Sequence, residues 1–506
     1  MTNPLFDGLL ATGRTTPDKC FAILPDGREF TYADVEAVSA RFANALVALG
    51  VAPGDRVAVQ ADKSIEALML YLGTVRAGGV FLPLNTAYTP TEIDYFLNDA
   101  KPRAFVCDPA KRDGLAATAE GAGARLETLG ARATDAGSLN AQADAASGEF
   151  ATVARQSSDL AAILYTSGTT GRSKGAMLTQ DNLLSNAEVL RDYWRFTADD
   201  VLLHLLPIFH THGLFVASNT AMIAGGTMIF LPKFDVEQVF KYLPQATAMM
   251  GVPTFYTRLL ADERLNRERT AHMRLFTSGS APLLAETHRA FEERTGQRIL
   301  ERYGMTETNM STSNPYDGER RAGTVGFPLP GVELRIVDAD TARPLHDGEI
   351  GVIEVKGPNV FCGYWQMPEK TAAEFRADGF FITGDLGLID PQGYVTIVGR
   401  GKDLIISGGF NIYPKEVELA LDELPGVVES AVIGVPHPDF GEGVVGVVVA
   451  ERALDEAELT GALAERLARF KQPKRIVFVD ELPRNTMGKV QKNILRDRFA
   501  DLLGGK

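Results

Sequence analysis

The chain has 506 residues, 45% of them hydrophobic and 23% charged, proportions that exclude a disordered, collagen-like or coiled-coil chain. Against 51 Lys and Arg stand 65 Asp and Glu, a formal charge of −14, which argues against binding nucleic acid through bulk charge or adhering to an anionic membrane but allows a local basic site for a phosphate. Cys20, Cys107 and Cys362 are far apart and form no CxxC, so neither a disulfide framework nor a structural zinc site is expected.

No apolar run approaches the ~20 residues of a membrane span. The N-terminus lacks a basic segment followed by an apolar one, so no signal peptide is expected and a cytoplasmic location is the default. At roughly 150 residues per domain the length predicts three units, or one large α/β body with a small second domain.

Thr31 predicts the N-cap of a helix running to Leu49, and Gly50–Asp55 breaks it. Arg56–Gln60 reads as a strand, Ser64–Ala77 as a helix, and Gly79–Leu84 and Arg103–Cys107 as further strands. This alternation predicts a mainly parallel sheet covered by helices. Residues 108–150, rich in Ala, Gly, Asp and Glu, predict a poorly packed surface excursion with short helices. The α/β alternation resumes over 158–330. From about Val332 the pattern is β-rich, and after Gly399-Arg-Gly-Lys-Asp403 a fresh α+β pattern runs to the end. A domain boundary is placed at that charged, glycine-containing segment.

The segment Ile163-Leu-Tyr-Thr-Ser-Gly-Thr-Thr-Gly-Arg-Ser-Lys-Gly-Ala-Met177 carries the most chemistry. An apolar strand enters a loop of Ser, Thr and Gly that ends in Lys174. Glycines let backbone N–H groups converge on an anion, hydroxyls add donors, and the lysine adds charge. The spacing is not that of a Walker A loop. The competing interpretation is a solvated turn between strands.

Tyr165-Thr-Ser-Gly-Thr-Thr-Gly-Arg-Ser-Lys-Gly resembles the signature of adenylate-forming enzymes, which include acyl-CoA synthetases, peptide-synthetase adenylation domains and luciferases. Further matching segments follow in the family's order over essentially the whole chain: Pro207-Ile-Phe-His, Arg302-Tyr-Gly-Met-Thr-Glu307, Thr383-Gly-Asp385, Gly399–Asp403, Gly408-Gly-Phe-Asn-Ile-Tyr-Pro414 and Pro483-Arg-Asn-Thr-Met-Gly-Lys489. The resemblance implies a large N-terminal AMP-binding domain over 1–399, with mixed α/β sheets and a β-rich part. A hinge at 400–403 containing Lys402 and a small mobile α+β domain over 404–506 would complete the chain. It also implies a reaction in which ATP and magnesium convert a carboxylate into an acyl-adenylate and pyrophosphate, after which the small domain rotates and a thiol, here coenzyme A, attacks.

Residue roles follow from the same resemblance. Lys489 corresponds to the mobile lysine that bridges the attacking carboxylate and the α-phosphate, where like charges must be neutralised. Glu307 matches the magnesium-associated glutamate, with Thr166 and Thr306 supplying hydroxyls near the phosphates. Ser167, Gly168, Thr169, Thr170, Gly171 and Lys174 form the phosphate loop. Ser280, Ala281 and Pro282 face Tyr303 across an adenine slot, with Glu301 and Gly304 beside it. Asp385 and Arg400 reach the ribose, although either alone would read as half of a salt bridge. Gly408 and Gly409 line the pantetheine tunnel, and Lys474 and Arg475 are candidates for the nucleotide end of CoA. An accessible Lys489 also suits an acetyltransferase and deacetylase pair.

Arg302 stands where many relatives carry glycine beside the acyl pocket. A buried charge there excludes a long fatty chain. Arg258 lies in a helix that the family also uses for that pocket, and an arginine fork suits a carboxylate. Together they predict a short acid with a second carboxylate at its far end. Glu301-Arg-Tyr-Gly-Met-Thr-Glu-Thr resembles the malonyl-CoA synthetase branch, which implies malonate, with methylmalonate as a second substrate. Ser278 and His210 are candidate pocket donors, His210 also a candidate catalytic group. Structural ion pairs, for instance with Glu301, remain the alternative for both arginines. Ligation of another short acid, carrier-protein loading and a non-catalytic nucleotide sensor are the competing functions. No carrier domain follows Lys506, which favours a stand-alone ligase.

Overall fold

A computed structural model describes residues 2–131, 137–166, 173–408, 410–485 and 488–504. Two compact units emerge, one formed by residues 1–333 with 356–379, the other by 334–355 with 380–506.

The first unit holds two large sheets. The seven-stranded sheet runs Gly363–Tyr364, Lys174–Thr179, Leu160–Thr166, Val80–Pro83, Arg56–Gln60, Ala104–Cys107, Arg125–Thr128. Its last five strands are parallel, as the β/α alternation predicts. The nine-stranded sheet has a parallel interior, Leu300–Met305, Leu275–Ser278, Ala248–Gly251, Val201–His204, Thr227–Phe230 and Cys20–Ile23, with antiparallel strands at both ends.

The local signals act as expected. The Thr31 hydroxyl accepts from Asp34 N while the Asp34 carboxylate accepts from Thr31 N, a capping box that starts the helix Tyr32–Ala48. Ser64 caps Ile65–Arg76. The 108–150 stretch is a correction. Arg125–Thr128 is the edge strand of the seven-stranded sheet, and the helices Arg112–Gly121 and Ser138–Ala145 bury Leu115, Ala119, Leu139 and Ala143. Alanine-rich helices hide only a narrow apolar stripe, so their periodicity is faint while their packing is ordinary.

The second unit pairs a four-stranded sheet, in which Phe381–Ile389 and Val395–Arg400 run antiparallel, with a five-stranded sheet in which Val427–His437, at the edge, and Gly441–Ala450 form a long hairpin. That hairpin is apolar on both faces. Val432, Val444 and Val448 pack with Leu421, Leu459 and Leu463 from two helices; Ile433, Val445 and Val447 pack with Leu482 and Leu495. Among the described residues no helix is long and apolar enough to cross a membrane.

Candidate active site

In the first unit Leu160–Thr166 and Lys174–Thr179 form an antiparallel hairpin in which Thr166 pairs with Lys174, and the Thr166 hydroxyl donates to the Lys174 carbonyl at 3.4 Å. The hairpin therefore delivers the two ends of the phosphate loop side by side. Ser167, Gly168, Thr169, Thr170 and Gly171 lie outside the described residues. Lys174 Nζ sits 3.2 Å from Glu374 Oε1 and 4.1 Å from the centre of the Tyr364 ring.

Leu300–Met305 and Asn309–Ser313 make a second hairpin, and its tight turn carries Thr306 and Glu307. A β-carbon at Gly304 would fall 1.7 Å from the Asn309 carbonyl oxygen, so only glycine fits. Glu307 is buried, and its Oε1 accepts from the Tyr364 hydroxyl at 3.0 Å. Tyr364 also donates to Glu374 Oε2 at 2.6 Å. One phenolic proton thus faces two carboxylates. Burial, together with those two carboxylates, raises the tyrosine's pKa and keeps it protonated.

Arg302 is 3% exposed, and its Nε and Nη2 find no hydrogen-bond partner among the described residues. Those two nitrogens form one side of the guanidinium plane, the edge that grips two oxygens at once. Burial pulls its pKa down to about 9, still charged at neutral pH. His212 opens a π-helix, His212–Ser218, and is 1% exposed. Burial first, then the charge of Arg302, pushes its pKa well down, so the ring is neutral. Its Nδ1 lies 3.1 Å from Ser280 Oγ, and its Nε2 has no partner among the described residues. In the tautomer in which Ser280 donates to Nδ1, Nε2 carries a hydrogen and is a free donor.

In the second unit Asp385 and Arg400 are register partners across an antiparallel pair, with Arg400 Nε 2.7 Å from Asp385 Oδ1. Gly401–Asp403, containing Lys402, forms a short 3-10 turn, and Asp403 pairs with Arg496 at 2.6 Å. Gly408 adopts φ +59° and donates to the Phe440 carbonyl; Gly409 lies outside the described residues. Lys489 is exposed and its backbone is held on both sides by Asn485: Asn485 Oδ1 accepts from Lys489 N at 3.0 Å, and Asn485 N donates to Lys489 O at 2.9 Å.

Two family profiles match the chain, AMP-binding enzyme over residues 10–365 and AMP-binding enzyme C-terminal domain over 416–489. The chain belongs to the AMP-binding enzyme family. Among solved structures it is similar to ATP-bound MatB from Rhodopseudomonas palustris, with 61% identity, a TM-score of 0.97, and 99% of this chain and 100% of that chain covered. Among curated proteins it is 34% identical to the malonate–CoA ligase of Arabidopsis thaliana, covering 94% of this chain and 85% of that protein. It is 37% identical to the sulfoacetate–CoA ligase of Cupriavidus necator, covering 94% of each.

As a member of that family the chain carries the adenylate-forming fold expected from its motifs. Within the first unit the structure gathers Lys174 and Glu307 around Tyr364, and Arg302 with His212 and Ser280. Other expected residues separate. Ser278 and Glu301 are register partners in adjacent parallel strands, so both side chains leave on the face opposite Gly279 and Arg302. Glu301 is turned to His288, at 3.3 Å, and to Gly323 N. Arg258 is exposed on the helix Pro253–Leu260, whereas Tyr256, two residues earlier, is buried and donates to the Thr277 carbonyl. Half-buried His210 accepts from His212 N at Nδ1 across 3.3 Å. Ala281, Pro282, Tyr303 and Thr306 are half-buried or exposed.

The family motifs did not flag His212, Tyr364 or Glu374. His212 could have been found from the second histidine of Phe209-His-Thr-His. Tyr364 and Glu374 lie outside the family motifs.

Proposed function

We propose that the protein ligates malonate to coenzyme A at the expense of ATP, first forming malonyl-adenylate and pyrophosphate, then malonyl-CoA and AMP. The observation that carries the acid specificity is the buried, unpaired edge of Arg302. A buried guanidinium without an anion is costly, and the carboxylate that is not adenylated supplies two oxygens to Nε and Nη2. His212 Nε2 is placed to add a third donor. A monoacid of the same length would leave that charge buried and unpaired, which penalises it. Arg258, being exposed, is assigned at most a rim role.

Lys174 and the loop before it are assigned to the triphosphate, Ser280–Pro282 and Tyr303 to adenine, and the Asp385–Arg400 pair to the ribose. Lys489 is assigned to charge neutralisation in the first step. Glu307 and Thr166 are the residues to hold magnesium. Magnesium beside a polyphosphate needs only one protein carboxylate and fills its shell with phosphate oxygens and water. That ion would neutralise phosphate charge. Residues 400–403 are proposed as the hinge between domains 1–399 and 404–506, and Gly408 with Gly409 as the tunnel for the thiol. Of the two candidates for the nucleotide end of CoA, Arg475 is engaged by Glu456 at 3.0 Å, while Lys474 lies 4.9 Å over the Phe440 ring. Exposure of Lys489 suits reversible acetylation, which would remove its charge.

Methylmalonate extends the same reading by one methyl group. The likeness to a sulfoacetate–CoA ligase favours sulfoacetate as a second substrate, since a sulfonate offers the same fork two of its three oxygens. The test is a panel of acetate, propionate, malonate, methylmalonate and sulfoacetate, scored for pyrophosphate release with and without CoA. Malonate is expected to lead and the monoacids to fail. Equal rates for propionate and malonate would overturn the assignment.

A further inference from the structure

Lys174 has a carboxylate partner in Glu374, and that carboxylate is shared. The Lys174 ammonium meets Glu374 Oε1 at 3.2 Å, and the same oxygen meets Lys370 Nζ at 2.7 Å. The two lysines differ in freedom. Lys370 lies one turn before Glu374 on the helix Pro368–Glu374 and stays within reach of it. Lys174 opens the strand that follows the phosphate loop and comes from 200 residues away in sequence. The second carboxylate oxygen of Glu374 is fixed by the Tyr364 hydroxyl at 2.6 Å. Tyr364 is anchored in turn, its N donating to Thr371 Oγ1 at 2.9 Å and its ring packing edge-on against Phe361 with centroids 4.8 Å apart. If Lys174 leaves, Glu374 still holds one cation and one hydroxyl. Burial works to raise the Glu374 pKa, but Lys370, Tyr364 and Lys174 together hold it below the ordinary carboxylate range, so it is charged at neutral pH.

We propose that Glu374 is a positioning residue that competes with the nucleotide's phosphates for Lys174, holding the lysine until the triphosphate takes it, with Lys370 as the reserve partner that makes the exchange cheap. This rests on the reading that Lys174 serves the polyphosphate. The arrangement keeps a lysine from wandering in solvent at the mouth of a loop, and it sets the affinity for ATP below the value that Lys174 alone would give.

The opposite signs expected from two neutralising substitutions make the idea testable. Binding of MgATP and of AMP is measured by calorimetry on the full chain without acid or CoA, so that no turnover occurs. Glu374→Gln removes the competitor and should tighten ATP by about three- to tenfold, the range for a partly buried ion pair. Lys370→Ala removes the reserve partner, strengthens the hold on Lys174, and should weaken ATP by about two- to threefold. AMP, lacking the outer phosphates, should bind both variants as it binds the parent. Lys174→Met tests the underlying reading separately: it should weaken ATP, and unchanged ATP affinity there would mean that Lys174 does not serve the phosphates at all. With Lys174→Met behaving as expected, weaker or unchanged ATP binding in Glu374→Gln, or a shift in the same direction for Lys370→Ala and Glu374→Gln, overturns the proposal. Lys370 is half-exposed, so its variant reports even where Glu374→Gln folds poorly.

Discussion

Arg302 lies across Gly279 so closely that a β-carbon at position 279 would fall 2.2 Å from its Nη1 and 2.4 Å from its Cζ. The glycine therefore sets where the guanidinium sits, and through it where the distal anion of the acid is held. Gly279→Ala must push the guanidinium aside. A displacement on the order of 1 Å in a positioning group can cost about 10²-fold, so malonate kcat/KM should drop between tenfold and a hundredfold. AMP affinity, measured by calorimetry, should change little. An unchanged malonate kcat/KM would show that the arginine's place at Gly279 does not matter for the acid.

Arg302→Gly removes the charge itself. Losing one partner of a buried charge pair typically costs ~3–5 kcal/mol, or roughly 10²–10³ in kcat/KM. Malonate use should fall by about that factor, and relative preference should move toward propionate and butyrate. Arg258→Ala, at an exposed position, should cost less than about tenfold. Equal losses for every acid, together with a lower melting temperature, would make Arg302 a structural residue.

Much of this arrangement was legible in the sequence, and the residues show where legibility stops. Thr31, Ser64 and the β/α alternation announced their elements because caps and periodicity are local. The Asp385–Arg400 pair could be read twice, as ribose ligands or as a salt bridge, and the structure contains the salt bridge. Which sheet face Ser278 and Glu301 take relative to Arg302 was not legible, because it is decided by the register between two strands more than 20 residues apart. The 108–150 stretch misled because alanine packs well and signals weakly. Tyr364 and Glu374 reach Lys174 only through tertiary folding, and no local pattern encodes that.

Lys489→Ala should separate the two half-reactions. Two hydrogen bonds with Asn485 hold the Lys489 backbone, and its side chain is exposed. Removing an electrostatic group of this kind typically costs about 10²–10³ in rate. Malonate-dependent pyrophosphate exchange should fall by that factor, whereas malonyl-adenylate supplied directly should still yield malonyl-CoA. Equal loss of both steps would remove Lys489 from its assigned role. Asn485→Ala, which removes the side-chain acceptor for Lys489 N without touching the charge, should give a milder version of the same split.

Asp422 gives the second unit a pH dependence of its own. It ends the helix Pro414–Asp422, and its Oδ1 accepts from Ser430 Oγ at 2.7 Å. Burial raises its pKa to about 6; Ser430 and Lys415 oppose the rise, while Glu418 and Glu429 add to it. A carboxylate with a raised folded-state pKa binds its proton more tightly in the folded chain than in the unfolded one. Between the unfolded value near 4 and the folded value near 6, the folded state therefore carries more protons, and stability falls as pH rises through that window. Above it the full penalty is present. Asp422→Asn removes the charge but keeps an oxygen for Ser430, so at pH 7.5 it should stabilise the unit by about 1–2 kcal/mol, a value discounted for the partial exposure of the site. The gain should shrink to nothing near pH 4, where the parent aspartate is protonated in the folded state. Urea unfolding of parent and variant at pH 4, 6 and 7.5 checks this, and a stability difference that stays constant across the three would show that Asp422 does not titrate in that range.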